Sequence, residues 1–191
     1  MQPRAWPWSR RTRSRTGVAY SATHALFEEL LFRALFFKNT EEALGSWAGL
    51  VAQAALFGAL HLGNPHATLV AGIAIAVEAG ILLAAAYVLT RRIWLAWGIH
   101  FGWNFAQSNI VGVPSSGHAQ PVSWFHATPT GSDVWTGGAF GVESSPVAVP
   151  LCLCAAIPLL YLGWRRGRFV TRRPKDWAVV GQNQTCDTSD A

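Results

Sequence analysis

Five apolar runs, each about as long as a bilayer is thick, limit this chain to very few architectures. They occupy residues 17–37, 44–62, 67–89, 93–113 and 147–164. A helix needs roughly 20 residues to cross about 30 Å of hydrocarbon. Strands of a membrane barrel would alternate apolar and polar residues over about ten positions, and these runs do not alternate. Only 13% of the 191 residues are charged, against 51% hydrophobic, whereas a soluble domain carries about 25% charged residues. The expected fold is all-α: a polytopic membrane helical bundle of about five spans, multi-pass in the cell membrane, with lipid as its surroundings.

The net charge of +5 raises nucleic acid as a partner, but the position of the basic residues argues against it. Arg4, Arg10, Arg11, Arg13 and Arg15 precede the first run, and Arg165, Arg166, Arg168, Arg172, Arg173 and Lys175 follow the last. Basic residues at the ends of spans anchor helices and meet anionic lipid, and no nucleic-acid motif accompanies them. With Lys38, Arg91 and Arg92 on the side of the C-terminal tail, the positive-inside tally favours a cytoplasmic C-terminus. The Arg-rich start is not read as a cleaved signal peptide, because the first run contains Glu28, Glu29 and Arg33 and no small-x-small site follows it.

Three regions follow along the chain: a basic, irregular segment over 1–16, a transmembrane domain over 17–164, and a basic polar tail over 165–191 with the composition of a disordered segment. Gly63-Asn64-Pro65 breaks the chain after the second run. Residues 114–146 are rich in Pro, Gly and Ser and are expected to form an extramembrane loop, with Trp124, Phe125 and Trp135 suited to the headgroup level. Cys152 and Cys154 point to different faces of one helix and Cys186 lies in the tail, so packing rather than a disulfide or a metal knuckle is expected.

Polar residues interrupt three of the runs at helical spacing. Glu28, Glu29 and Arg33 stand in FEELLFR, Phe57 and His61 in FGALH, His100 and Asn104 in HFGWN. A charge at the centre of a membrane helix costs about 2.5–3.5 kcal/mol even on the lenient insertion scale, so these positions are expected to be used. Glu29 reaches Arg33 on one helical face, while Glu28 is rotated about 100° from Glu29 and faces other helices. His24 lies one turn before Glu28 and is within reach of it. A bundle gathering Glu28, His61, His100 and Asn104 suits hydrolysis: a carboxylate takes a proton from water, imidazole orients it, and an amide donates to an oxyanion. The same residues suit zinc, for which two His and one Glu are frequent ligands, so Glu28, His61 and His100 form the candidate zinc set. No H-E-x-x-H supports zinc locally, and no cofactor is assured.

The ordered set E-E-x-x-x-R, F-x-x-x-H and H-x-x-x-N on three apolar helices resembles the CPBP family, the CAAX proteases and bacteriocin-processing proteins also called the Abi family. The words HLGNPHATL, RRIWLAWGIHFGWNF and GGAFGVES are similar to bacterial members, and the resemblance runs from about residue 20 to about residue 150. It implies a CAAX-protease-like core and intramembrane endopeptidase activity on a membrane-associated protein or peptide. It also implies roles: Glu28 with His61 activates water, His100 and Asn104 stabilise the oxyanion, and Glu29 and Arg33 hold the site together. Phe57 shapes a wall. Family descriptions use the word metalloprotease, so both a glutamic and a metal mechanism stay open.

Bland readings compete with these. Glu29 and Arg33 suit a structural ion pair, His61 a helix-end histidine bonded to backbone, and His100 with Asn104 an interhelical polar contact worth about 0.6 kcal/mol. Glu78, inside the third run, falls outside every motif and suits packing or cavity lining. His66, His118 and His126 fall in loops and are expected to be solvated. Two further function classes remain. One is a catalytically inactive or truncated family member acting as a membrane immunity or partner protein. The other is a proton-coupled transporter, which would show paired repeats and more spans.

Overall fold

A computed structural model describes residues 10–119 and 123–172, with side chains from Arg15 onward. Every regular element among the described residues is helical. Helix α1 (Arg10–Glu29) continues through a π-helical stretch (Leu30–Phe37) into α2 (Lys38–Leu44). Helix α3 (Ser46–His61) follows Gly45, whose φ of 88° turns the chain. After the Gly63-Asn64-Pro65 break, Thr68 caps α4 (Leu69–Ile75) by accepting the Ala71 amide at 3.1 Å. A π-helical stretch (Ala76–Gly80) joins α4 to α5 (Ile81–Thr90). Helix α6 (Ile93–Phe105) runs into a third π-helical stretch (Ala106–Val111), and α7 (Asp133–Thr136) and α8 (Ala148–Arg165) complete the order.

Helix α5 is the centre of the bundle. All eight residues Leu82–Leu89 are buried, since α5 packs against α8 on one side and α6 on another, while α1 lies along α6. Small residues let α3 approach the α4–α5 helix closely, the usual device where helices meet in lipid. A Cβ on Gly58 would stand 2.3 Å from Gly72 O and 2.7 Å from Ala76 Cβ. Large apolar side chains stay exposed, among them Phe27, Leu35, Val51, Leu69, Ile73, Leu151, Ile157 and Trp164, an outer surface of the kind that meets a membrane or another protein.

Of the five expected spans, two stand out in the structure by length and apolarity. Two helices are long and apolar enough to cross a bilayer as they stand, Leu69–Thr90 with 22 residues and Ala148–Arg165 with 18. The other three runs are helical but differ for physical reasons. The first carries Glu28, Glu29 and Arg33; the second ends as a helix of 16 residues, about 24 Å at 1.5 Å per residue; the fourth holds His100, Asn104, Gln107 and Asn109. The residues that suggest chemistry are the ones that dilute the apolar signal.

Two expectations need correction. Residues 10–16, read as irregular, are already helical. The stretch 114–146, read as an outside loop, contains α7 and a 3₁₀ turn (Val142–Ser144) that carries Glu143 into the interior at 2% exposure. Trp124, Phe125 and Trp135 in the same stretch are exposed. Cys152 is buried and Cys154 exposed, both free. Residues 1–9, Cys186, Arg173, Lys175 and the rest of the tail lie outside the described residues.

Candidate active site

The three motifs meet around one cavity of about 250 Å³, lined by Glu28, His61, His100 and Asn104, with His24 and His118 also on its wall. A smaller chamber of about 40 Å³ adjoins it, sharing His61, His100 and Asn104 and adding Glu78, Trp103 and Glu143. Each π-helical stretch lies beside one of these residues: one begins right after Glu29, one contains Glu78, and one begins two residues after Asn104. π-turns recur at functional sites. Ala79 O, inside the second of these stretches, accepts Arg33 Nη2 at 3.2 Å.

Arg33 and Glu29, both with no exposed side-chain surface, pair at 3.0 Å between Nη1 and Oε1. The E-x-x-x-R spacing supplies this contact, and Arg33 also lies over the Phe57 ring, 4.8 Å from its centroid. Glu29 Oε1 accepts a second hydrogen bond, from His100 Nδ1 at 2.8 Å. With Nδ1 donating to a carboxylate, the other ring nitrogen of His100 points at Glu28, its Nε2 lying 3.4 Å from Oε2. His100 therefore bridges the two glutamates.

Glu28 itself is committed to little. Its Oε2 makes no hydrogen bond, and its Oε1 meets only His24 Nε2, at 3.7 Å. Glu28 thus has one long contact with His24 on its own helix and one with His100 on α6. Its neighbour in sequence is thus locked into an ion pair while Glu28 faces the cavity.

The F-x-x-x-H spacing has an equally local meaning. His61 Nδ1 lies 2.7 Å from Phe57 O, one helical turn back. A carbonyl only accepts, so Nδ1 carries the hydrogen, and in the neutral ring Nε2 is left as a lone-pair acceptor. The Phe57 ring packs against His61 at a tilt of 44°, 4.5 Å between centroids, and meets His100 edge-on at 6.2 Å. It thus stands as a wall between the two imidazoles with Arg33 behind it.

Asn104 lines both cavities one turn after His100, and its Oδ1 lies 3.4 Å from Ser115 Oγ. Ser115 opens a tight hairpin in which Ser115 and His118 exchange backbone bonds (3.1 and 2.8 Å). The two central residues, Ser116 and Gly117, have φ of 46° and 82°, the pattern of a two-residue hairpin turn. Left-handed serine is costly, and the turn is held from several sides. Glu143 accepts Ser115 Oγ at 3.0 Å, Ser116 Oγ at 3.0 Å and the Ser116 amide at 2.5 Å, and it also accepts Trp103 Nε1 at 3.0 Å. Asn64 Nδ2, in the break after α3, donates to Ser116 O at 3.0 Å.

Ser115, Ser116 and Glu143 were not singled out from sequence. A signal existed in GGAFGVES, where an acid follows a glycine-rich bend in an otherwise uncharged stretch. Glu78, by contrast, was singled out and is placed in the small chamber, 2% exposed, its Oε2 without a hydrogen bond. His118 is exposed yet lies on the cavity wall, and His66 and His126 do not line the cavity.

The candidate zinc set does not fit a metal as placed. Zinc needs three protein ligands near 2.0–2.2 Å of one point, and among the described residues no three His, Cys, Asp or Glu side chains gather that way. His100 spends both nitrogens on the glutamates, so no step is derived through a metal.

The fold and site define an all-helical protein with two helices long and apolar enough to cross a membrane and a buried glutamate–histidine cluster opening on a cavity. The family model for Rce1-like, type II CAAX prenyl endopeptidases matches residues 14–106, the stretch that carries all three motifs. Over that stretch the chain is similar to the type II CAAX prenyl endopeptidases, in agreement with the CPBP resemblance of its motifs. No curated protein and no solved structure matches it.

Proposed function

We propose that the protein is an intramembrane endopeptidase that hydrolyses a peptide bond of a membrane-associated protein or peptide by a glutamic, metal-free route. All five apolar helical segments lie in the membrane in this reading, the three with polar residues screened by the bundle. The observation that supports it best is the uncommitted carboxylate of Glu28 in a cavity shared with the free Nε2 of His61. A water held between them gives a proton to Glu28 as its oxygen attacks the scissile carbonyl carbon. The carbonyl electron pair moves to oxygen, and the amide of Asn104 donates to that oxyanion, as does Nε2–H of a doubly protonated His100 ring that exchanges its long contact with Glu28 for the substrate. The proton then passes from Glu28 to the amide nitrogen, the C–N bond breaks, and the products are a carboxylate and an amine. Glu29 and Arg33 hold His100 in place from behind.

The test is Glu28→Gln, which keeps the shape and removes the base. Purified protein in proteoliposomes is given a quenched-fluorescence peptide ending in a prenylated CAAX sequence, the substrate class named by the family model. Wild type cleaves it, and Glu28→Gln lowers kcat by at least about 10²-fold. Equal rates in the two proteins overturn the glutamic mechanism, and an intact peptide in both removes CAAX peptides as the substrate.

A further inference from the structure

Glu143 is a buried acid outside all three motifs, yet it accepts four hydrogen bonds from three residues on two elements. Only one of the four is a backbone amide; the other three come from Trp103, Ser115 and Ser116 side chains. Trp103 precedes Asn104 on α6, and Ser115 touches Asn104 directly, so the carboxylate grips both sides of the asparagine. A role confined to packing would not need this acid to stand in the small chamber beside His61 and His100.

We propose that Glu143 is a positioning residue that sets the Asn104 pole of the site through Ser115. Ser115 has one hydroxyl proton and two acceptors, Glu143 Oε1 at 3.0 Å and Asn104 Oδ1 at 3.4 Å. That single proton is shared between the two acceptors, so the carboxylate fixes where the hydroxyl stands and the longer contact with Oδ1 sets which way the Asn104 amide is turned. The left-handed Ser116 keeps this arrangement because Glu143 holds its amide and hydroxyl while Asn64 holds its carbonyl. Asn64 lies three residues after His61, so the same turn ties the water-activating side of the cavity to the oxyanion side. This assignment rests on the hydrolytic reading above.

The experiment compares Glu143→Gln, Ser115→Ala and Ser115→Thr in the peptide-cleavage assay, with Glu28→Gln as the reference for chemistry. A misplacement of a reacting group by about 1 Å costs up to about 10²-fold. Glu143→Gln and Ser115→Ala are therefore expected to lower kcat by roughly tenfold to a hundredfold while KM stays within about twofold. Ser115→Thr, which keeps the hydroxyl, restores most of the rate. Adding Asn104→Ala to either variant costs less than it does in wild type, a coupling that loss of packing alone would not produce. If Glu143→Gln fails to fold, Ser115→Ala decides, because it leaves the Trp103 and Ser116 bonds in place. Wild-type kcat in Ser115→Ala and Glu143→Gln alongside an inactive Glu28→Gln overturns the positioning role alone. Wild-type activity in Glu28→Gln overturns the hydrolytic reading instead.

Discussion

Arg33→Met cuts the pair at the heart of the site and leaves the carboxylate of Glu29 buried without its cation. Neither side chain of that pair has exposed surface, and they meet at 3.0 Å, so water cannot compensate. Removing one member of such a buried pair costs about 3–5 kcal/mol. Two features of this structure shift the value within that range. Arg33→Met also frees Ala79 O, which loses its only side-chain donor and adds a penalty of about 1 kcal/mol. Against this, His100 Nδ1 stays 2.8 Å from Glu29 Oε1 and retains one charge-assisted hydrogen bond. The expected loss is therefore about 4 kcal/mol, read by equilibrium unfolding in mixed detergent micelles. The double variant Arg33→Met with Glu29→Leu removes both charges and should recover at least half of it, since apolar replacement of a whole buried pair is often neutral. It should still be inactive, because His100 has lost the carboxylate that orients it. A single variant that loses less than about 1 kcal/mol, or a double variant less stable than the single, refutes the view that a desolvated ion pair organises this region.

Glycine position sorts the effect of one identical change. Gly58→Ala drives a methyl into Gly72 O and should cost about 1–3 kcal/mol by forcing α3 from α4. Gly98→Ala meets nothing within 4 Å and should stabilise α6 by up to about 1 kcal/mol; both are read by thermal melting in detergent. Glu78→Gln replaces a carboxylate whose Oε2 has no donor, so stability should hold or rise. A loss above about 1 kcal/mol there would point to a partner for that oxygen.

Much of the site was legible because each motif is a local geometric statement. E-x-x-x-R gives an i, i+4 ion pair, F-x-x-x-H gives a ring nitrogen over the carbonyl one turn back, and H-x-x-x-N puts two polar groups on one face. A helix converts such spacings into contacts without help from the rest of the chain. The span count was not legible in the same way. Apolarity was read run by run, and Glu28, Glu29, Arg33, His100 and Asn104 both mark the site and lower the apolarity of the helices that hold it.

What the sequence alone determined is which side chains share a helical face, because that follows from 3.6 residues per turn. Only the tertiary structure decided which faces meet. It let His100 of α6 bridge both glutamates of α1, set the Arg33 guanidinium on a carbonyl of a π-helical stretch 46 residues away, and carried Glu143 from an apparent loop onto the wall beside Asn104. Those contacts span long stretches of chain and depend on close helix crossings at Gly58 and on a hairpin with two left-handed residues. Such packing is a property of the whole bundle, and no window of sequence contains it.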